Sequence, residues 1–299
     1  MKNAFGLVIA MIISNVAMSQ NYQEEFVKFF QKNDTVKQME VLTNWAKTSP
    51  KDAELFTSYF NYYFAKSKDE IIVISKGTPA KGEKAILLTD STGEKAGYMG
   101  SKVDYKKSDL QMAFVKINQG IKLYPDRLDM RFGKIYALGK IKDWSGFTNE
   151  IIKTVDHSAQ NKNNWTWTNN KKKKGGADAF LGSLQDYQMQ LYRTGDDSLL
   201  KNMQDIANAV LKHYPNHIAS LSNLSIGYLV GKEYDKALVP LLKAEKIAPK
   251  DCIVLANIAH AYKEKHDKDK ALEYYQKIAQ YGDNRAKAMA EGEIKKLKE

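Results

Sequence analysis

Five histidines, one cysteine, four tryptophans and a run of lysines are the side chains from which this chain could build a site. His213 and His217 are four apart, the spacing of a helical zinc pair, but Pro215 and Asn216 lie between them and break the shared face that ligation needs. A lone cysteine excludes a disulfide framework and a multi-cysteine metal site, and no metal or cofactor is expected. Cys252 opens a helical stretch, where the dipole would lower its pKa, but a structural thiol fits the position better. The sequence holds no glycine-rich phosphate loop, nucleophile elbow or HExxH motif, so no catalytic residue is assigned and a non-enzymatic protein is expected. Trp165 and Trp167 flank Thr166, which in an extended segment puts both rings on one side. Such a pair stacks on a sugar or on a partner's apolar anchor. The competing reading, favoured by the usual burial of aromatics, tucks the rings against neighbouring helices. Lys171 and Lys172 open a four-lysine run, ordinarily solvated but also suited to an acidic envelope surface.

These residues sit in a chain of 299 residues, enough for one large domain or two average ones. Hydrophobic residues make up 43% and charged residues 27%, which excludes wholesale disorder. The net charge is +11, yet no nucleic-acid recognition motif accompanies it, and no nucleic-acid partner is expected. The first residues have their own logic. Lys2 precedes a short apolar run, and Ala17 and Ser19 place small residues ahead of Gln20. That is the plan of a secretory signal, which predicts cleavage after residue 19 and export, most simply to a bacterial periplasm or else out of the cell. The run is too short to span a bilayer, which needs about 20 apolar residues. No cysteine follows to carry a lipid, and no later stretch reads as a transmembrane anchor.

The rest of the chain repeats. Leu221 and Leu255, Tyr228 and Tyr262, Ala237 and Ala271, and Leu238 and Leu272 are each 34 apart. Leu221, Leu224 and Tyr228 follow a helical face, Gly231-Lys232-Glu233 supplies a turn, and Ala237, Leu241 and Ala244 make a second face. Pro50, Pro125, Pro215 and Pro249 each close a helical segment. Ala113, Ile117 and Gly120 fall at the offsets of Ala237, Leu241 and Ala244. Pro240 lies inside a predicted helix and predicts a kink or a late start. This 34-residue pattern resembles the tetratricopeptide repeat, clearly over residues 218–285 and more loosely over nearly the whole mature chain.

The predicted organisation is a signal segment over 1–19, helical repeat over 20–68, a β-hairpin insertion over 69–107, degenerate repeats and a long loop over 108–176, clearer repeats over 177–285 and a charged capping helix over 286–299. The insertion is β-rich because Ile71-Ile72-Val73-Ile74 is β-branched and Asp90-Ser91-Thr92-Gly93-Glu94 is a turn cluster between two short apolar runs, with room for a third strand. The long loop is Asn-rich and carries the tryptophan pair and the lysine run. Nearest-neighbour stability in repeats predicts that residues 178–299 fold alone.

The resemblance implies a mainly α fold, a right-handed α-solenoid of helix–turn–helix repeats with a small β insertion. It also implies a protein or peptide partner held in a concave groove lined by the first helix of each repeat. By analogy with the family the groove residues are Ser222, Ile226, Leu229, Ala256, His260 and Lys263. His260 either lines that groove or is simply solvated. The family's clamp for a terminal carboxylate is not rebuilt here, since Ser222 and Ala256 stand where it wants polar or basic side chains. The leading function is an exported scaffold or adaptor. The alternatives are a glycan-binding accessory protein of the envelope using Trp165 and Trp167, or an enzyme with its site on the β insertion.

Overall fold

The computed structural model describes residues 21–79 and 84–299. The signal segment expected over 1–19 lies outside the described residues, as do residues 80–83 of the insertion. Two compact units make up the chain. The first runs to Lys142 and adds Thr166–Lys172; the second is Asp143–Trp165 with Lys173–Glu299.

In the first unit a helix over 21–31, α1, precedes α2 (Thr35–Thr48) and α3 (Ala53–Ser67). A three-stranded sheet follows, made of β1 (Lys68–Ser75), β2 (Ala85–Thr89) and β3 (Lys95–Tyr105), and then come α4 (Lys107–Leu123) and α5 (Leu128–Lys140). A two-residue ladder, β4 (Thr166–Trp167) and β5 (Lys171–Lys172), completes the unit. Its core forms where these helices meet. Leu42 and Trp45 of α2 are fully buried beside Phe26 and Leu55, and Phe60 and Phe64 of α3 pack with Ile117 of α4 and Met130 of α5. Gly120 has no room for a side chain, because a Cβ there would come within 2.9 Å of Phe56 Cβ.

The sheet occupies the turn of a helical hairpin. Ser67 ends α3 and its carbonyl accepts from the Lys106 N–H (2.8 Å), so the chain leaves α3 as β1 and returns along β3 into α4. Strand order is β1-β3-β2, all antiparallel, with Ile72 opposite Ser101 and Ile86 opposite Met99. The β2–β3 turn is held by Asp90, whose Oδ1 accepts from Thr92 N (2.8 Å), Thr92 Oγ1 (2.6 Å) and Glu94 N (3.0 Å). The insertion therefore holds the third strand that the sequence left room for.

The second unit contains α6 (Trp144–Gln160), α7 (Gly176–Tyr192), α8 (Leu200–His213), α9 (Ile218–Val230), α10 (Tyr234–Ile247), α11 (Cys252–Glu264), α12 (Lys268–Tyr281) and α13 (Asn284–Lys298). Positions related by 34 residues are buried alike: Ala237 and Ala271 are both at 0%, and so are Ala244 and Ile278. The alanines at three of these four points let two helices approach closely. Pro240 is buried inside α10, and the helix begins ahead of it, so the late start expected there is corrected.

The turns show the repeat most directly. Ser49, Tyr124, Tyr214 and Ala248 each end a helix with φ from −140° to −128° and ψ from 64° to 78°. Each of their N–H groups donates to the carbonyl four residues back. Their own carbonyls accept from the N–H of Asp52, Arg127, His217 and Asp251. A proline follows in all four cases, and proline forces the residue before it out of the helical region. The tight turns between successive helices repeat as well: Asn33, Lys142, Lys232 and His266 are left-handed, with φ of 53° to 61°. Only glycine adopts that conformation without strain, and asparagine tolerates it. His266→Gly is therefore expected to stabilise the second unit by about 0.5 kcal/mol, the relief of strain exceeding the added chain entropy. A rise in the urea midpoint would show this; a fall would mean that the His266 side chain itself holds the turn.

Candidate functional site

Three charged residues of the first unit, Glu54, Arg127 and Asp129, converge on one turn. Arg127, 1% exposed, follows Pro125 and Asp126 and heads α5. Its Nη1 donates to Glu54 Oε1 (2.7 Å), while Nε and Nη2 make a bidentate pair with Asp129 (2.8 and 2.7 Å). Glu54 Oε1 also accepts from the backbone N–H of Asn169 (2.7 Å), and Arg127 Nη1 reaches Asn170 Oδ1 (3.3 Å). Burial alone would lower the Arg127 pKa, but the hydrogen bonds to Asp129 and Glu54 prevail and hold it above its ordinary value. Asn169 and Asn170 are both left-handed, which the Asn-rich sequence permits, and Thr166 N donates to the Asp126 carbonyl (2.9 Å). The segment over 166–172, part of the long loop read from the sequence, is thus fastened at both its backbone and its turn.

Beside this cluster lies a cleft of about 250 Å³ among α1, α3 and α5. Phe26, Phe60 and Ile117 give it an apolar floor, and Asn61, Thr57 and Asp129 give it polar edges. Sequence reasoning missed Glu54, Arg127 and Asp129. A signal was available at the helix starts. Asp52 and Asp251 cap α3 and α11 with their carboxylates, whereas Arg127 stands at the same turn position with no side-chain cap bond.

In the second unit the proposed groove residues divide by exposure. Ser222 and Leu229 are buried in the helix packing and present no surface. Ile226 and Ala256 are half-buried. The Lys263 ammonium is held by Glu293 of α13, whose carboxyl pKa is lowered by Lys263 and then Lys296. His260 is exposed, with Nδ1 4.0 Å from Glu264 Oε1. Ile253, a turn and more before it on α11, is 71% exposed. Gln185 and Asn223 pair through their amides (2.8 and 3.4 Å), linking α7 to α9.

The other candidate residues have separate partners. Trp165 is 1% exposed, against Phe180 (centroids 5.6 Å apart) and His157 (5.4 Å). Trp167 belongs to the first unit and meets the Phe132 ring edge-on at 6.3 Å. Tucking against helices is therefore what Trp165 does, and a buried ring cannot take part in an exposed stacking platform. Lys171 and Lys172 are exposed on β5. His213 Nε2 lies 2.7 Å from Asp156 Oδ1, and with Lys212 it holds the Asp156 carboxyl below the usual carboxylate range. His217 Nδ1 instead meets Ser220 Oγ (2.9 Å), and burial pushes its pKa down. The two histidines thus do not converge on one point. Burial raises the Cys252 thiol pKa, aided by Asp251 and Asp283, so the start of α11 does not activate it.

Helical hairpins of 34-residue period, joined by turns of repeated conformation, define a helical-repeat protein. No family model and no curated protein matches the chain. Solved structures similar to it are tetratricopeptide repeat proteins. YrrB, described as having an unusual peptide-binding site, is 12% identical with a TM-score of 0.41, over 84% of this chain and 97% of its own. The C-terminal part of a repeat protein from Cytophaga hutchinsonii is 14% identical with a TM-score of 0.40, over 92% and 95%. A tetratricopeptide repeat protein from Parabacteroides merdae is 10% identical with a TM-score of 0.39, over 94% and 86%. Among the described residues no helix is long and apolar enough to cross a membrane.

Proposed function

We propose that the chain is an exported, non-enzymatic scaffold or adaptor that holds a protein or peptide segment along the first helices of its C-terminal repeats. The observation that carries this reading is on α11. Val254, Leu255 and Ile258 are fully buried, yet Ile253 on the same helix stays 71% exposed, one helical stripe away from them and shared with His260. An unburied isoleucine beside an ionisable ring suits a segment that offers one apolar anchor and one polar group. Half-buried Ile226 and Ala256 border the stripe. The export half of the proposal rests on the leader over 1–19.

The test is crosslinking in cell envelopes, with Ile253→Asp/His260→Ala beside the unaltered protein. Both side chains are exposed, so the variant keeps the fold. A periplasmic protein recovered with a chain beginning at Gln20, and lost from the variant, is expected. Equal recovery of every partner by the variant would sink the groove reading.

A further inference from the structure

The sheet carries a second surface, independent of the repeat groove. All eight residues of β1 are exposed, and Ile72 and Ile74 are 75% and 69% exposed. Among the described residues β1 is an edge strand, with β3 its only partner in the sheet. Its hydrogen-bonding phase follows from one bond. Ser67 lies opposite Lys106 when the β1–β3 register is extended, and Lys106 N donates to Ser67 O. In an antiparallel pair alternate residues bond to the neighbour, so Asp69, Ile71, Val73 and Ser75 face β3. The N–H and C=O groups of Lys68, Glu70, Ile72 and Ile74 therefore point to the open edge. A long edge of this kind, apolar and without proline, invites another strand.

We propose that this edge pairs with β1 of a second copy of the chain, antiparallel about a two-fold axis at Val73. Symmetry and hydrogen-bonding phase leave few registers, because directly opposed residues in an antiparallel pair share a face. Centred on Ile72, the pairing sets Lys68 against Lys76 twice. Centred on Ile71, it sets Glu70 against Ile72 and Lys68 against Ile74. Centred on Val73, it sets Glu70 of each copy against Lys76 of the other, Ile72 against Ile74 and Val73 against itself, leaving Ile71 opposite Ser75 as the one unmatched pair between Glu70 and Lys76. Lys76 directly follows the strand in a bend, and the pairing draws it into the strand by one residue. On one face Ile86, Met99 and Ile74 then continue into Ile72 of the second copy, making one apolar band across the joined sheets. The interface is one strand long, well below the usual interface size, so the dimer is expected to form in the micromolar range and dissociate on dilution.

Sedimentation of the mature chain from about 1 to 100 μM tests this. A concentration-dependent monomer–dimer equilibrium is expected. Ile72→Pro removes an outward N–H without touching the β3 ladder and should leave a monomer. Glu70→Lys and Lys76→Glu should each be monomeric alone, yet form a heterodimer when mixed, since mixing restores both charge pairs. In a Cys252→Ser background, Val73→Cys should crosslink to itself under mild oxidation, because opposed non-hydrogen-bonded residues place Cα atoms about 4.5 Å apart, within disulfide reach. A monomer at every concentration, a dimer untouched by Ile72→Pro, or single charge variants that fail to recombine would each overturn the proposal.

Discussion

Arg127→Met is expected to destabilise the first unit by about 3–5 kcal/mol, the cost of leaving buried charge without its partner. The guanidinium is 1% exposed and the Glu54 side chain 5% exposed, so water cannot replace what the substitution removes. Asp129 would lose both arms of its bidentate pair and Glu54 its ion pair with the guanidinium. Glu54→Gln should cost less, about 1–2 kcal/mol, because the Arg127–Asp129 pair remains and an amide oxygen still accepts from Asn169 N. The two substitutions also differ in a local readout. Asn170 is tied to Arg127, and its neighbour Asn169 to Glu54, so Arg127→Met loosens the segment over 166–172. Native-state trypsin cleavage at Lys171–Lys174 should then accelerate by about tenfold or more, as local opening becomes cheaper. Unchanged cleavage together with an unchanged urea transition would show that the cluster contributes nothing to the stability of the unit.

Much of this architecture is legible in the sequence, and for a physical reason. A repeat buries the same positions again and again, so Ala237 and Ala271, or Leu221 and Leu255, announce their burial by recurrence. The four prolines mark four turns of one conformation because the steric effect of proline on its predecessor is local. The β insertion is visible for the same reason: β-branched runs and a turn cluster act within a few residues. What is not legible is non-local. Glu54 and Arg127 are 73 positions apart. Neither disturbs the apolar period, since a salt-bridged arginine in a turn looks like any surface arginine. The long loop is readable as an insertion, but its two short strands exist because Thr166 docks on Asp126. Ser222 occupies a groove position by offset alone, and only packing reveals that it is buried.

The division of the chain shows where offset reasoning stops, and it sets the second large effect. A fragment over 178–299 was expected to fold alone, because its repeats are the clear ones. The structure adds α6 to the same unit. Phe147, Ile151 and Val155 of α6 are each at 0% exposure, and Phe147 meets the Tyr187 ring edge-on at 5.7 Å. Asn202 of α8 donates to Thr148 Oγ1 (2.8 Å) and to the Trp144 carbonyl (3.3 Å), and Ser158 Oγ lies 2.8 Å from Tyr214 Oη. Removing α6 would expose the faces of α7 and α8 that bury these groups. At about 1.5–3 kcal/mol per large apolar side chain, the three residues alone account for about 4.5–9 kcal/mol, comparable to the whole stability of an ordinary domain. Residues 143–299 are therefore expected to unfold in urea with one cooperative transition. Residues 178–299 should keep helix in α9–α13 while losing protected amides in α7 and α8, because repeat stability is a sum over neighbours and the end of an array frays first. Hydrogen exchange on the two fragments decides the matter. Equal protection of α8 in both would mean that α6 is an appendage, and that the stable array begins at α7 as the 34-residue period alone implies.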